Sequence, residues 1–114
     1  MLTIESLKAY GADVAEGVGR CLNDEEFYLD LVMSVVPDAR IDELEGYLRA
    51  KDLDKAFETA HALKGMYGNI SITPVYKPIS EMTELLRTRT DMDYTALLNE
   101  AKRQKQKLVD LCNS

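Results

Sequence analysis

The chain has one histidine, two cysteines and no surplus of positive charge. Each shortage closes off a class of function. A single histidine and two distant cysteines cannot assemble a zinc site. Cys21 and Cys112 share no metal-ligand spacing and form no disulfide framework, so both are expected as reduced thiols in or near a core. Fourteen Lys and Arg against twenty Asp and Glu leave a net charge of −6, without the basic footprint that nucleic acid demands. The run of Lys102, Arg103, Lys105 and Lys107 reads as a solvated helix face near a C-terminus, where cations favour the helix dipole. No apolar run approaches the roughly 18 residues of a spanning helix. Met1 to Glu5 carries no charged leader followed by an apolar stretch, so no signal peptide and a cytoplasmic location are expected. There is no G-x-x-x-x-G-K-[ST] loop and no G-x-G-x-x-G fingerprint, hence no nucleotide site. Ser71 and Ser114 lack the context of a catalytic nucleophile.

What remains is helical. The 114 residues suit one domain, 1–114, large enough to bury a core without disulfide or metal. Hydrophobic content of 46% and charged content of 30% are those of a globular protein. No stretch alternates over strand length. A short helix is predicted from Thr3 to Ala9, stopped near Gly11, and a second from an Asp13/Glu16 capping box, fading between Gly17 and Cys21. An Asn23/Glu26 box opens a longer helix with Tyr28, Leu31, Val32 and Val35 inward, ended by Pro37. Asp38 caps the next, with Ile41, Leu44 and Leu48 inward. The joint Ala50-Lys51-Asp52 is tight enough to turn the following helix antiparallel. That helix spans Asp52 to Ile70 and turns Leu53, Ala56, Ala60, Leu63, Tyr67 and Ile70 inward. Thr73-Pro74 reads as an N-cap and first-turn pair for a helix with Val75, Ile79, Met82 and Leu86 inward, in which Pro78 predicts a kink or a delayed start. Asp91 to Asp93 opens the last helix, with Tyr94, Leu97, Leu98, Ala101, Leu108 and Leu111 apolar. The expected fold is all-α: an antiparallel up-down four-helix bundle with two short N-terminal helices over one end.

The one histidine sits in Ala60-His61-Ala62-Leu63-Lys64-Gly65. At about 100° per residue, His61 points about 130° away from the inward stripe of its helix and is therefore on the surface. Offsets of three, four and seven place Lys64, Gly65 and Gly68 on its side of the helix. An exposed imidazole can take a phosphoryl group, and a lysine one turn away offsets its charge as a mobile point cation. Each helical glycine costs about 0.5–1 kcal/mol relative to alanine, so two on one face suggest a place where a partner comes close to the backbone. Gly68 also has a second reading, as the C-cap that ends the helix. Glu58, one turn before His61, is placed to hold the ring N–H and leave the distal nitrogen free, or else to be a solvated glutamate.

The pattern His61-Ala62-Leu63-Lys64-Gly65, continued through Gly68-Asn69-Ile70 and the next amphipathic helix, resembles the histidine-containing phosphotransfer (HPt) domain, whose signature is a histidine, any two residues, then Lys-Gly. The helices from Asn23 to Cys112 follow that family's order. The resemblance implies the same bundle and a phosphorelay carrier that accepts a phosphoryl group on His61 from a receiver-domain aspartate or a kinase and passes it to another receiver. It further implies no kinase or hydrolase activity of its own and no cofactor, with Mg²⁺ supplied by the receiver. The partners would be response-regulator receiver domains or a hybrid histidine kinase, with the carrier a monomer. Family members often bring a glutamine from the following helix to the site; by spacing that position falls at Thr83, a departure. Met66 and Tyr67 replace the small residues common after the Lys-Gly pair, and Tyr67 should pack inward. The alternative function is a helical adaptor that binds a receiver or kinase without being phosphorylated, against which His61 and Lys64 together argue. Met1 and the finished last helix favour a free-standing protein over a piece of a larger kinase.

Overall fold

Side-chain caps decide where most of the helices begin. The computed structural model describes all 114 residues, as seven helices and no strand: α1 Ile4–Tyr10, α2 Val14–Arg20, α3 Glu25–Val35, α4 Arg40–Arg49, α5 Leu53–Asn69, α6 Thr73–Arg87 and α7 Thr95–Cys112. The two short helices α1 and α2 and the longer α3 precede α4, as the sequence predicts. Thr3 and Ser6 form a reciprocal capping box at α1, which ends at Gly11 in the left-handed region (φ 117°). The Asp13/Glu16 box is half present: Asp13 accepts from the Glu16 N–H at 3.1 Å, but the Glu16 carboxylate takes the Ser71 hydroxyl instead, at 2.8 Å. The Asn23/Glu26 box does not form. Asn23 is left-handed (φ 62°), so the cap passes to Asp24, which accepts from the Phe27 N–H at 3.0 Å. Asp38 reaches the Arg40 N–H at 2.9 Å from just outside α4, whose N-cap is Ala39. Asp52 caps α5 through the Lys55 N–H at 3.2 Å. Thr73 lies inside α6 rather than capping it, and α6 runs unbroken through Pro78 with no delayed start. The proline removes only the one donor that would have bonded four residues back. α7 starts after Tyr94, with Asp93 accepting from the Thr95 N–H at 2.9 Å.

A core cluster of 23 buried residues runs from Leu2 to Leu108. α4, α5, α6 and α7 pack in chain order and α4 also meets α7, while α1 lies against α7 and α2. Most inward positions read from the periodicity are buried, with Leu31, Leu48, Leu53, Leu97 and Leu111 half-buried at its edge. The tight joints use single left-handed residues: Lys51 (φ 54°) before α5, Ser71 (φ 56°) before α6 and Arg89 (φ 54°) after it. α2 is tied to the α5–α6 turn by the Asp13 N–H, which donates to Ser71 O at 3.0 Å. α3 is tied to the same turn by the Tyr28 hydroxyl, which donates to Ile70 O at 2.8 Å. A Cβ on Gly17 would fall 2.4 Å from the Tyr28 ring, so only glycine lets α2 cross there. The basic run of α7 is largely engaged within the fold. Lys102 pairs with Glu45 at 3.0 Å, Arg103 with Glu100 at 2.8 Å, and Lys105 donates to Asp38 O. Cys21 is buried and Cys112 half-buried, both as free thiols. No helix is long and apolar enough to cross a membrane.

Candidate functional site

α5 carries the site because its two faces are chemically separate. Ala56, Ala60, Leu63 and Tyr67 are wholly buried, whereas His61 and Gly65 are exposed and Lys64 and Gly68 half-buried. The offsets of three, four and seven from His61 therefore do bring Lys64, Gly65 and Gly68 to one surface. This surface opens into a depression lined by those four residues, by Tyr76 and Lys77 of α6, and by Glu16 and Arg20 of α2.

The imidazole is not free on that surface. The Phe57 ring, one turn earlier on α5, stacks on it with centroids 5.6 Å apart and planes within 6°. The end of α6 comes up against Phe57: the guanidinium carbons of Arg89 and Arg87 lie 4.7 Å and 5.2 Å from its centroid. Arg89 Nε also donates to Asp54 Oδ1 on α5, at 2.6 Å. Lys64 Nζ pairs with Glu84 Oε2 at 3.0 Å, and Arg87 Nε reaches Glu84 Oε1 at 3.3 Å. Hydrogen bonds from Arg87 and then Lys64 hold the Glu84 carboxyl below the usual carboxylate range. A chain of contacts thus runs from His61 through Phe57, Arg87 and Glu84 back to Lys64.

Two expected contacts are replaced. Thr83 does not reach the surface: it is wholly buried and its hydroxyl donates to Ile79 O at 2.7 Å. The polar side chain that α6 offers is that of its neighbour, Glu84. Glu58 is exposed and makes no hydrogen bond to His61, whose ring rests on Phe57 instead. The glycines differ from each other. Nothing stands within 4 Å of a Cβ built on Gly65, whereas one on Gly68 would lie 3.1 Å from the Tyr76 ring. Gly68 is helical and has no positive φ, so it is not the left-handed C-cap; Ser71 is the left-handed residue of that turn. Met66 is half-buried with its sulfur accepting from Arg40, and Tyr67 packs inward, its hydroxyl buried without a partner. Burial pushes the Tyr67 phenol well above its ordinary pKa. Phe57 could have been found from sequence, since it stands four residues before His61. Glu84 and Arg87 could not, because their place depends on how α6 registers against α5.

The Hpt domain family model matches residues 38–111, well over half of the chain. Comparison with curated proteins and with solved structures returned no match. The matched segment runs from the turn before α4 to the last turn of α7 and includes every α5 and α6 residue described above. Hpt domains transfer phosphoryl groups through a histidine in two-component phosphorelays; they are phosphocarriers rather than enzymes, and they work with receiver domains and histidine kinases. An all-helical chain, an exposed helical histidine and a match across the segment that bears it have one common meaning: this protein belongs to the Hpt domain family.

Proposed function

We propose that His61 is the phosphorylated residue of a phosphorelay carrier. A receiver bearing an aspartyl phosphate docks on the face around His61, Lys64, Gly65 and Gly68. The unprotonated ring nitrogen attacks phosphorus in line; the nitrogen–phosphorus bond forms as the acyl phosphate P–O bond breaks, and the electron pair leaves with the receiver's carboxylate. The reverse reaction passes the group to the aspartate of a second receiver. Lys64 exchanges Glu84 for the phosphoryl oxygens, at little cost, because an exposed ion pair contributes only about 0–1 kcal/mol. The divalent cation and most of the electrostatic catalysis belong to the receiver. The carrier works as a monomer in the cytoplasm, without kinase or hydrolase activity and with no cofactor of its own. Residues 1–114 form one unit, in which α4 to α7 make the up-down four-helix bundle.

One observation carries this reading: His61 is exposed on the outer face of α5, beside a lysine and a glycine above which space is open. The test is incubation with phosphorylated receiver domains. The label acquired should be acid-labile and alkali-stable, and His61→Gln should abolish it without changing the far-UV helix signal. Labelling that persists in that variant would overturn the assignment; receiver binding without labelling of the wild type would leave the adaptor.

A further inference from the structure

Phe57 is the one aromatic side chain in contact with the imidazole, and it is itself held in place. An exposed histidine on a straight helix ordinarily samples several side-chain rotamers, only some of which aim a ring nitrogen along the line of attack. Here the ring lies parallel to that of Phe57 in an offset stack, 5.6 Å between centroids and 6° between planes. Phe57 is half-buried, and the guanidinium carbons of Arg89 and Arg87 lie 4.7 Å and 5.2 Å from its centroid. Those cations are anchored in turn. Arg89 donates to Asp54 at 2.6 Å and, through Nη1, to Leu86 O at 3.0 Å at the end of α6. Arg87 is held by Glu84, which also holds Lys64. Stacked pairs and cations over ring faces are each worth about 0.5–1.5 kcal/mol, enough to favour one ring orientation over its rivals.

We propose that Phe57 is a positioning residue for phosphoryl transfer: clamped by Arg87 and Arg89, its ring fixes the plane of the His61 imidazole before a receiver arrives. This rests on His61 being the phosphorylated residue. Phe57 touches neither phosphorus nor the receiver's aspartate and acts only through His61. The advantage is preorganisation, since a ring already aligned loses less freedom on reaching the in-line geometry.

The test uses the full chain with Phe57→Leu and Phe57→Tyr. Because His61 is the only histidine, its ring carbon and proton resonances are unambiguous. In the wild type they should be displaced by the Phe57 ring current, should move to free-imidazole positions in Phe57→Leu, and should stay displaced in Phe57→Tyr. In single-turnover transfer from a phosphorylated receiver, Phe57→Leu should lower the rate at saturating receiver about tenfold, leave half-saturation within about twofold and keep the melting temperature within a few degrees. Phe57→Tyr should retain the wild-type rate. Unshifted His61 resonances in the wild type would overturn the proposal, as would a wild-type saturating rate in Phe57→Leu or a loss that Tyr fails to restore. A wild type whose His61 takes no phosphoryl group would instead overturn the carrier reading, and the resonances would still report whether the stack exists.

Discussion

The inner and outer faces of α5 are built from the same helical repeat and obey opposite rules. On the inner face, Ala56, Ala60, Leu63 and Tyr67 are wholly buried; close packing there makes every atom matter to stability. On the outer face, His61 is exposed, Lys64 pairs with the exposed Glu84 carboxylate, and Gly65 has nothing above it. That face holds poor helix formers and a half-buried phenylalanine under two arginines, features that a chain selected only for stability would replace. The lesson is that one helix can be rigid on one side so that the other can remain open. The inner stripe fixes the direction in which His61 points, and the outer residues are then free to serve chemistry.

The largest effect that would break this comparison is a core truncation. Leu63→Ala, on the inner face two residues from His61, should cost about 2–5 kcal/mol in denaturant unfolding, while the folded fraction of the variant keeps its ability to accept phosphate. A loss under about 1 kcal/mol would mean that the inner face is not the frame we describe. Next, Lys64→Ala should slow single-turnover transfer roughly tenfold, the effect of an interaction on the order of 1 kcal/mol made in the transition state, with the melting temperature little changed. Since Lys64 is already paired with Glu84 at 3.0 Å, an unchanged rate would show that it never leaves that partner. The smallest effect sharpens the contrast most. Gly65→Ala fills open space and should raise stability by about 0.5–1 kcal/mol, yet weaken receiver binding if a partner must approach the backbone there. Isothermal titration and thermal unfolding of one sample settle the pair; a stability gain with intact binding would remove Gly65 from the docking face.

Much of this arrangement could be read from the residues alone, and the exceptions share a cause. The helix α5, Leu53–Asn69, falls within the expected Asp52 to Ile70, and its inward stripe followed from the spacing of apolar positions, a local property. So did the placing of His61 outside. Thr83 was misplaced because a helix turns about 100° per residue. A shift of a single residue separates a buried threonine from the exposed Glu84 that meets Lys64. That register is set by the turn at Ser71, a left-handed residue where no glycine announces it. Asn23 hid the start of α3 in the same way, taking a left-handed conformation so that Asp24 became the cap. Gly68 was ambiguous in sequence because helix-end and close-contact glycines look alike; the Tyr76 ring, 3.1 Å from where its Cβ would be, is a long-range neighbour that local pattern does not reveal.

The bond from the Tyr28 hydroxyl to Ile70 O crosses a boundary that the family comparison draws elsewhere. The matched segment begins at residue 38, yet the carbonyl that ends the histidine helix is satisfied by a phenol from residue 28, and the next residue, Ser71, by Asp13 and Glu16. A piece cut at the edge of the match would uncover Ile70 and Ser71, now 6% and 4% exposed, and strip their partners from the turn that sets α6 against α5. Resemblance and cooperativity therefore have different edges in this protein. The first 37 residues lie outside the matched segment, but they act as a splint on the corner that sets Glu84 against Lys64 and Arg87 against Phe57.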